Sequence, residues 1–177
     1  MENSNNIALV TSVGNELLIV DTKARKIKKR ISTQQELSHM LVLHLNKPIA
    51  CVTNVVSGSV SVIDIKNEKL ISIIDCGSGT EGLDITPDGK ELWVTSSKDK
   101  SISIICIITN SVVVVLSTVN EVLRLGFSID GIYCFVPNSK DGTIRVYDQE
   151  KRQQIKIISI PGKKNYWEEL FIILRDQ

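Results

Sequence analysis

Aromatic residues make up only 5% of this 177-residue chain, and there are four prolines, two histidines and two methionines. Each scarcity excludes something. Without interleaved aromatic side chains there is no stacking platform for single-stranded nucleic acid. The two histidines, His39 and His44, are an odd number of residues apart, so on one strand they face opposite ways and cannot share a metal. Charge of one sign is also missing: the formal net charge is +1, which provides no general attraction to nucleic acid or to an anionic membrane. The cysteines Cys51, Cys76, Cys106 and Cys134 include no C-x-x-C pair, which argues against a zinc cluster or a thioredoxin-type motif. The polar start, Met1 to Asn6, has no basic segment followed by an apolar core. The expectation is a cytoplasmic chain with reduced, mostly buried thiols. The one long apolar stretch, Ser101 to Val119, is broken by Thr109-Asn110-Ser111 and dominated by Ile and Val, so it reads as two strands around a turn and not as a membrane span.

What the chain does have is repetition. Val10, Val52, Val94 and Val136 are equivalent, with steps of 42 residues; Asp21, Asp64, Cys106 and Asp148 mark the end of a second strand, and Ile31, Ile74, Leu116 and Ile158 the end of a third, with steps of 43, 42 and 42. A fourth apolar run carries Leu41/Leu43, Leu83/Ile85 and Leu125/Phe127, and Phe171/Ile173 after a short insertion near Pro161 to Asn165. The joints have hairpin chemistry: Pro87-Asp88-Gly89, Asp130-Gly131 and Lys140-Asp141-Gly142. Ser111–Val115 is apolar at both parities, which predicts cover on both faces. Four strands in about 42 residues, repeated four times, predict an all-β fold: a β-propeller of four-stranded antiparallel blades. The expected organisation is one domain over 1–177, with repeats at 7–48, 49–90, 91–132 and 133–177.

The best-matching segments are Cys51-Val52-Thr53-Asn54, then Val60 to Asp64, then CGSGTEGLDITPDGKELWVTSS from Cys76 to Ser97. On these residues the chain resembles the YVTN β-propeller repeat proteins, which are related to surface-layer and quinoprotein-like propellers. The first unit departs from the pattern, having Leu45-Asn46-Lys47-Pro48 in place of the Pro-Asp-Gly corner, and the fourth has Val136-Pro137-Asn138 where Val-Thr-Asn is usual. The resemblance implies a binding scaffold, often extracellular or periplasmic; related propellers include lactonases and redox-cofactor proteins. In such propellers the strand before Pro-Asp-Gly is innermost. The C-terminal strand, Leu170 to Leu174, is then placed to complete the first blade. Three arrangements stay open: a closed four-bladed ring, two chains completing an eight-bladed ring, and an incomplete copy of a longer propeller.

Two motifs suggest other chemistry and fail on context. Gly77, Gly79 and Gly82 spell G-x-G-x-x-G, but a dinucleotide site needs a helix after them. Here a four-residue strand and a turn follow. The basic run Lys23 to Arg30 falls on an outermost strand, with Ile27 and Ile31 inward, where lysines guard an edge against pairing. No nucleic-acid partner, no membrane span and no cofactor are expected, and no nucleophile motif is present. His39, Glu81 and Glu169 occupy equivalent positions just before innermost strands, with Leu123 at the fourth; if they converge at the channel mouth, an imidazole and two carboxylates are weak candidates for a divalent cation. The expected ligand-binding rim is His39, Ser78, Thr80, Glu81, Asn120, Glu121, Glu168 and Glu169. The leading expectation is a non-enzymatic scaffold for a ligand or protein; the alternative is a propeller hydrolase or lactonase with an acidic mouth.

Overall fold

The computed structural model describes residues 6–138 and 140–161. Among them are fifteen strands and no helix: β1 (Ile7–Ser12), β2 (Glu16–Asp21), β3 (Lys26–Ser32), β4 (Ser38–Leu43), β5 (Ile49–Asn54), β6 (Ser59–Asp64), β7 (Lys69–Asp75), β8 (Thr80–Ile85), β9 (Glu91–Ser96), β10 (Ser101–Cys106), β11 (Ser111–Ser117), β12 (Gly126–Phe127), β13 (Tyr133–Asn138), β14 (Thr143–Asp148) and β15 (Gln153–Ser159). They form four antiparallel sheets in chain order, β1-β2-β3, β4-β5-β6-β7, β8-β9-β10-β11 and β12-β13-β14-β15. The strand that precedes each corner is therefore the inner edge of the next sheet. The first sheet has three strands among the described residues, and the proposed completing strand, Leu170 to Leu174, lies outside them.

Consecutive sheets stack face to face, and the repeat spacing decides which residues meet. Leu17, Ile19 and Ile31 of the first sheet pack on Ala50, Val52 and Ile63 of the second. Val60, Val62 and Ile74 of the second pack on Leu92, Val94 and Ile105 of the third. Ile102, Ile104 and Trp93 of the third pack on Cys134, Val136 and Tyr147 of the fourth. Trp93 also meets Phe127 and Tyr147 edge-on, with ring centroids 5.5 and 6.4 Å apart. Each junction is thus two rows of aliphatic or aromatic side chains, dictated by alternation along strands that are buried on both faces.

A hydroxyl secures each junction near the axis. Thr53 Oγ1 accepts the amide of Met40 on its own inner strand at 3.1 Å and donates to the carbonyl of Glu81 on the next sheet at 2.9 Å. Thr95 repeats this with the amide of Gly82 at 2.8 Å and the carbonyl of Leu123 at 3.3 Å. Thr11 donates likewise to the carbonyl of His39. In the fourth sheet the equivalent residue is Pro137, which has no hydroxyl to receive the amide of Arg124. The inner strand there shrinks to Gly126–Phe127, shorter than the sequence predicts.

Three other expectations change. Ile31 is buried, but a bulge at Lys28 turns Ile27 to the opposite face of the first sheet, beside Val20, where it is 42% exposed and no described residue of another sheet covers it. Val113 and Val115 of β11 are exposed: the outermost strands sit where neighbouring sheets have diverged. The first repeat, lacking Pro-Asp-Gly, builds its corner differently. In the third and fourth sheets, the Asp88 and Asp130 carboxylates accept a hydroxyl from Thr86 or Ser128 and an amide from Lys90 or Ile132. In the second sheet, His44 Nδ1 accepts the amides of Asn46 and Lys47 at 3.0 and 3.2 Å, so its Nε2–H donates to the carbonyl of Gly89, 3.1 Å away on the next sheet's corner. An imidazole does the carboxylate's work and links two corners as well.

Thr53→Val keeps the shape of the side chain and removes both bonds, leaving the Met40 amide and the Glu81 carbonyl without their partner. It is expected to lower unfolding stability by about 1–3 kcal/mol in a denaturant titration. A change within error would show that the hydroxyl does not hold the junction.

Candidate functional site

His39 and Glu81 are the second residues of β4 and β8, one step inside the inner strands that the spacing puts after them, and Leu123 lies in the loop before β12; the carbonyls of all three receive the threonine hydroxyls. Fixing those carbonyls holds the neighbouring side chains in place. His39 Nδ1 lies 4.0 Å from Glu81 Oε1, so these two do converge. Glu81 Oε1 also accepts a hydrogen bond from Arg124 Nη1 at 2.7 Å, and the same nitrogen donates to the carbonyl of Leu123 at 2.9 Å. The sequence reading missed Arg124. Its signal was a guanidinium in the inner-strand register where the other repeats have Met40 and Gly82. The charge-assisted pair makes the carboxylate an anchor for a cation already in the chain. Among the described residues no group of three His, Cys, Asp or Glu side chains is arranged to hold a metal ion.

The other rim candidates separate into two kinds. Ser78 is exposed, and its amide donates to Asp99 Oδ2 at 2.8 Å. Glu121 pairs with Lys140 at 2.8 Å, and Asn120 donates to Asp141. These three sit in the loops that lead to β8 and β12, exposed or half-buried. Thr80 differs: it is fully buried, with its hydroxyl on the carbonyl of Gly77 at 2.7 Å and beside Ser96 Oγ at 3.2 Å. Its role is to close the loop. Glu168 and Glu169 lie outside the described residues.

Gly77 and Gly79 take positive φ of 113° and 76°, and Gly82 sits inside β8. No helix follows. At Gly82 a Cβ would come within 2.4 Å of the carbonyl of Leu123, so this glycine admits the next sheet's loop.

The opposite end of the inner strands opens into a cavity of about 880 Å3, walled by Leu41, Leu43, Ile85 and Phe127 with His44 and Asp84 among them. Asp84 accepts the amides of Ile85 at 2.9 Å and Phe127 at 3.1 Å, tying two inner strands together. The volume is in the range of ligand pockets, and the wall is mostly apolar.

No protein-family profile matches the chain, and no curated protein does. Solved structures do. A chain of Kuenenia stuttgartiensis hydrazine synthase is 21% identical, with a TM-score of 0.83, over 90% of this chain and 47% of its own length. The chain is a β-propeller. The likeness is one of fold, and the chain spans about half the length of that neighbour. No helix among the described residues is long and apolar enough to cross a membrane.

All four cysteines are free. Burial pushes the Cys51 and Cys76 thiols up to about 12 and raises Cys134 as well. Cys106 differs. It replaces the aspartate that ends the equivalent strands, where Asp21, Asp64 and Asp148 each accept the amide three residues on, at 2.7–2.8 Å. In the same turn, hydrogen bonds from the Thr109 side chain and the Thr109 and Ile108 amides lower the Cys106 thiol. With brief iodoacetamide treatment near neutral pH, Cys106 is expected to be alkylated first and the other three only on unfolding, as read by peptide mass spectrometry. Equal labelling of Cys76 and Cys106 in the folded chain would contradict this.

Proposed function

We propose that the chain is a non-enzymatic propeller scaffold of the YVTN-repeat type, which takes a polar ligand or a protein partner at the channel mouth and rim. The residues assigned to that surface are His39, Ser78, Glu81, Asn120, Glu121 and Arg124. The observation that carries the reading is the Glu81–Arg124 pair. A carboxylate that already holds a guanidinium at 2.7 Å is poorly placed to ligate a cation or to take a proton as a general base. The same pair, with His39 beside it, offers a donor, an acceptor and an imidazole side by side, which suits recognition.

The YVTN resemblance finds support in the hydrogen bonds of its two polar letters. The threonine links adjacent blades, as described above. The asparagine, Asn54, is fully buried and bonds Ser38, Ser59 and Ser61, which ties the inner strand to the hairpin of its own blade. Residue types that a solvent-facing strand would not need are thus accounted for by the repeat's own architecture.

The reading is tested by pairing a cation assay with a binding assay. The purified chain is expected to carry no stoichiometric divalent metal and to open no lactone. A protein partner retained by wild type and by Leu45→Ser, at the opposite mouth, is expected to be lost by Glu81→Lys. One bound cation per chain that disappears in Glu81→Ala, or lactone turnover abolished by that change, would replace the scaffold with a metal-dependent hydrolase. A partner indifferent to Glu81→Lys would place recognition elsewhere.

A further inference from the structure

The two ends of the blade series are unlike the junctions between them. Ala8 and Val10 of β1 are the repeat equivalents of Ala50 and Val52 of β5, residue for residue. Yet Val10 is 44% exposed, while Val52, Val94 and Val136 are all at 0%. Ile27 lies on the same face of the first sheet, which no other sheet among the described residues covers. At the other end, Phe135 and Ile144 are only partly buried, and Ile158 is 40% exposed where Ile31 and Ile74 are at 5%. A soluble monomer seldom leaves apolar sheet faces of this kind open.

We infer that two copies of this chain close into one eight-bladed ring, the last blade of each lying on the first blade of the other. Inside the chain, the pair Ala50/Val52 is covered by the aliphatic set Leu17, Ile19 and Ile31. The fourth blade has Ile144, Val146 and Ile158 at the positions equivalent to that set; Val146 is itself buried at 6%, and Ile144 and Ile158 are the more open two. A second copy thus carries the chemistry that already fits the identical pair Ala8/Val10. A head-to-tail contact that closes after two copies is made twice and leaves neither face over.

The closing junctions differ from the internal ones in one respect. Pro137 stands where Thr11, Thr53 and Thr95 send a hydroxyl to the next blade, so the two copies are held by apolar contact without that bond. The assembly is therefore expected to dissociate on dilution, while each half keeps its blades.

Sedimentation equilibrium tests the inference. Wild type at micromolar concentration is expected at twice its chain mass of 19.7 kDa. Val10→Lys places a charge on a face that is open in one copy, so it is expected to keep its β circular-dichroism spectrum and to run as a single chain. Val13→Lys is the control: Val13 is 72% exposed in the turn beyond β1, and this variant is expected to stay paired. Should Val10→Lys lose its β spectrum, Ile158→Lys on the other face carries the same expectation. A wild-type chain of single mass would overturn the two-copy ring, since the faces would then be covered within the chain or by a different protein. So would polydisperse larger species, or a folded Val10→Lys that remains paired.

Discussion

A propeller blade has two apolar faces, and neither is out of water until another blade lies on it. Every other feature of this chain depends on that contact. The two middle strands of the second and third blades are buried at both parities because both faces are covered, and the 42-residue step keeps one blade's Leu17/Ile19/Ile31 row opposite the next blade's Ala50/Val52/Ile63 row. Burial of this kind contributes about 25 cal/mol per Å2 of apolar surface and has no direction of its own. The directional element is the threonine hydroxyl, which joins the inner strand of its own blade to the loop of the next and so fixes how far one blade slides on another.

The same contact explains how the rim is made. Residues at or just before the start of each inner strand have their carbonyls fixed by the neighbouring blade, so side chains 42 or 43 residues apart in sequence come together at the axis. The Glu81–Arg124 pair arises this way, and so does the approach of His39. The glycines of the Cys76–Gly82 loop belong to this geometry as well: two turn the chain from periphery to axis, and Gly82 makes room for the next loop's carbonyl.

Much of this was legible in the sequence, and the failures have identifiable physical causes. Strand boundaries, sheet order and the position of the inner strands follow from equal spacing of Val10, Val52, Val94 and Val136, because a period shared by four strands per unit leaves few alternatives. The corner at Leu45–Pro48 was not readable, since an imidazole replaced the expected aspartate and only its hydrogen bonds reveal the equivalence. The short inner strand β12 was implicit in Pro137, but its consequence depends on an amide at Arg124, in another strand. Ile27 was placed inward with Ile31 by alternation, and the bulge at Lys28 puts it on the opposite face. Ser111–Val115, apolar at both parities, was expected to be covered on both faces, yet Val113 and Val115 are exposed, because composition does not tell whether a neighbour reaches that far out. At the site, repeat equivalence found His39 and Glu81, but Arg124 lies one residue off the aligned position and escaped. Thr80 was misassigned because a loop hydroxyl looks the same whether it faces solvent or closes the loop.

The dependence of each blade on its neighbour is tested most directly by hydrogen exchange at dilutions where single chains predominate. Strands Glu16–Asp21, Ser59–Asp64 and Ser101–Cys106 are repeat equivalents, each paired on both sides, but alternate residues of Glu16–Asp21 are less buried than in the other two. If neighbours stabilise blades as argued, amides of Glu16–Asp21 exchange at least about a hundredfold faster than those of Ser59–Asp64 and Ser101–Cys106. Equal protection of the three strands in the single chain would contradict the account.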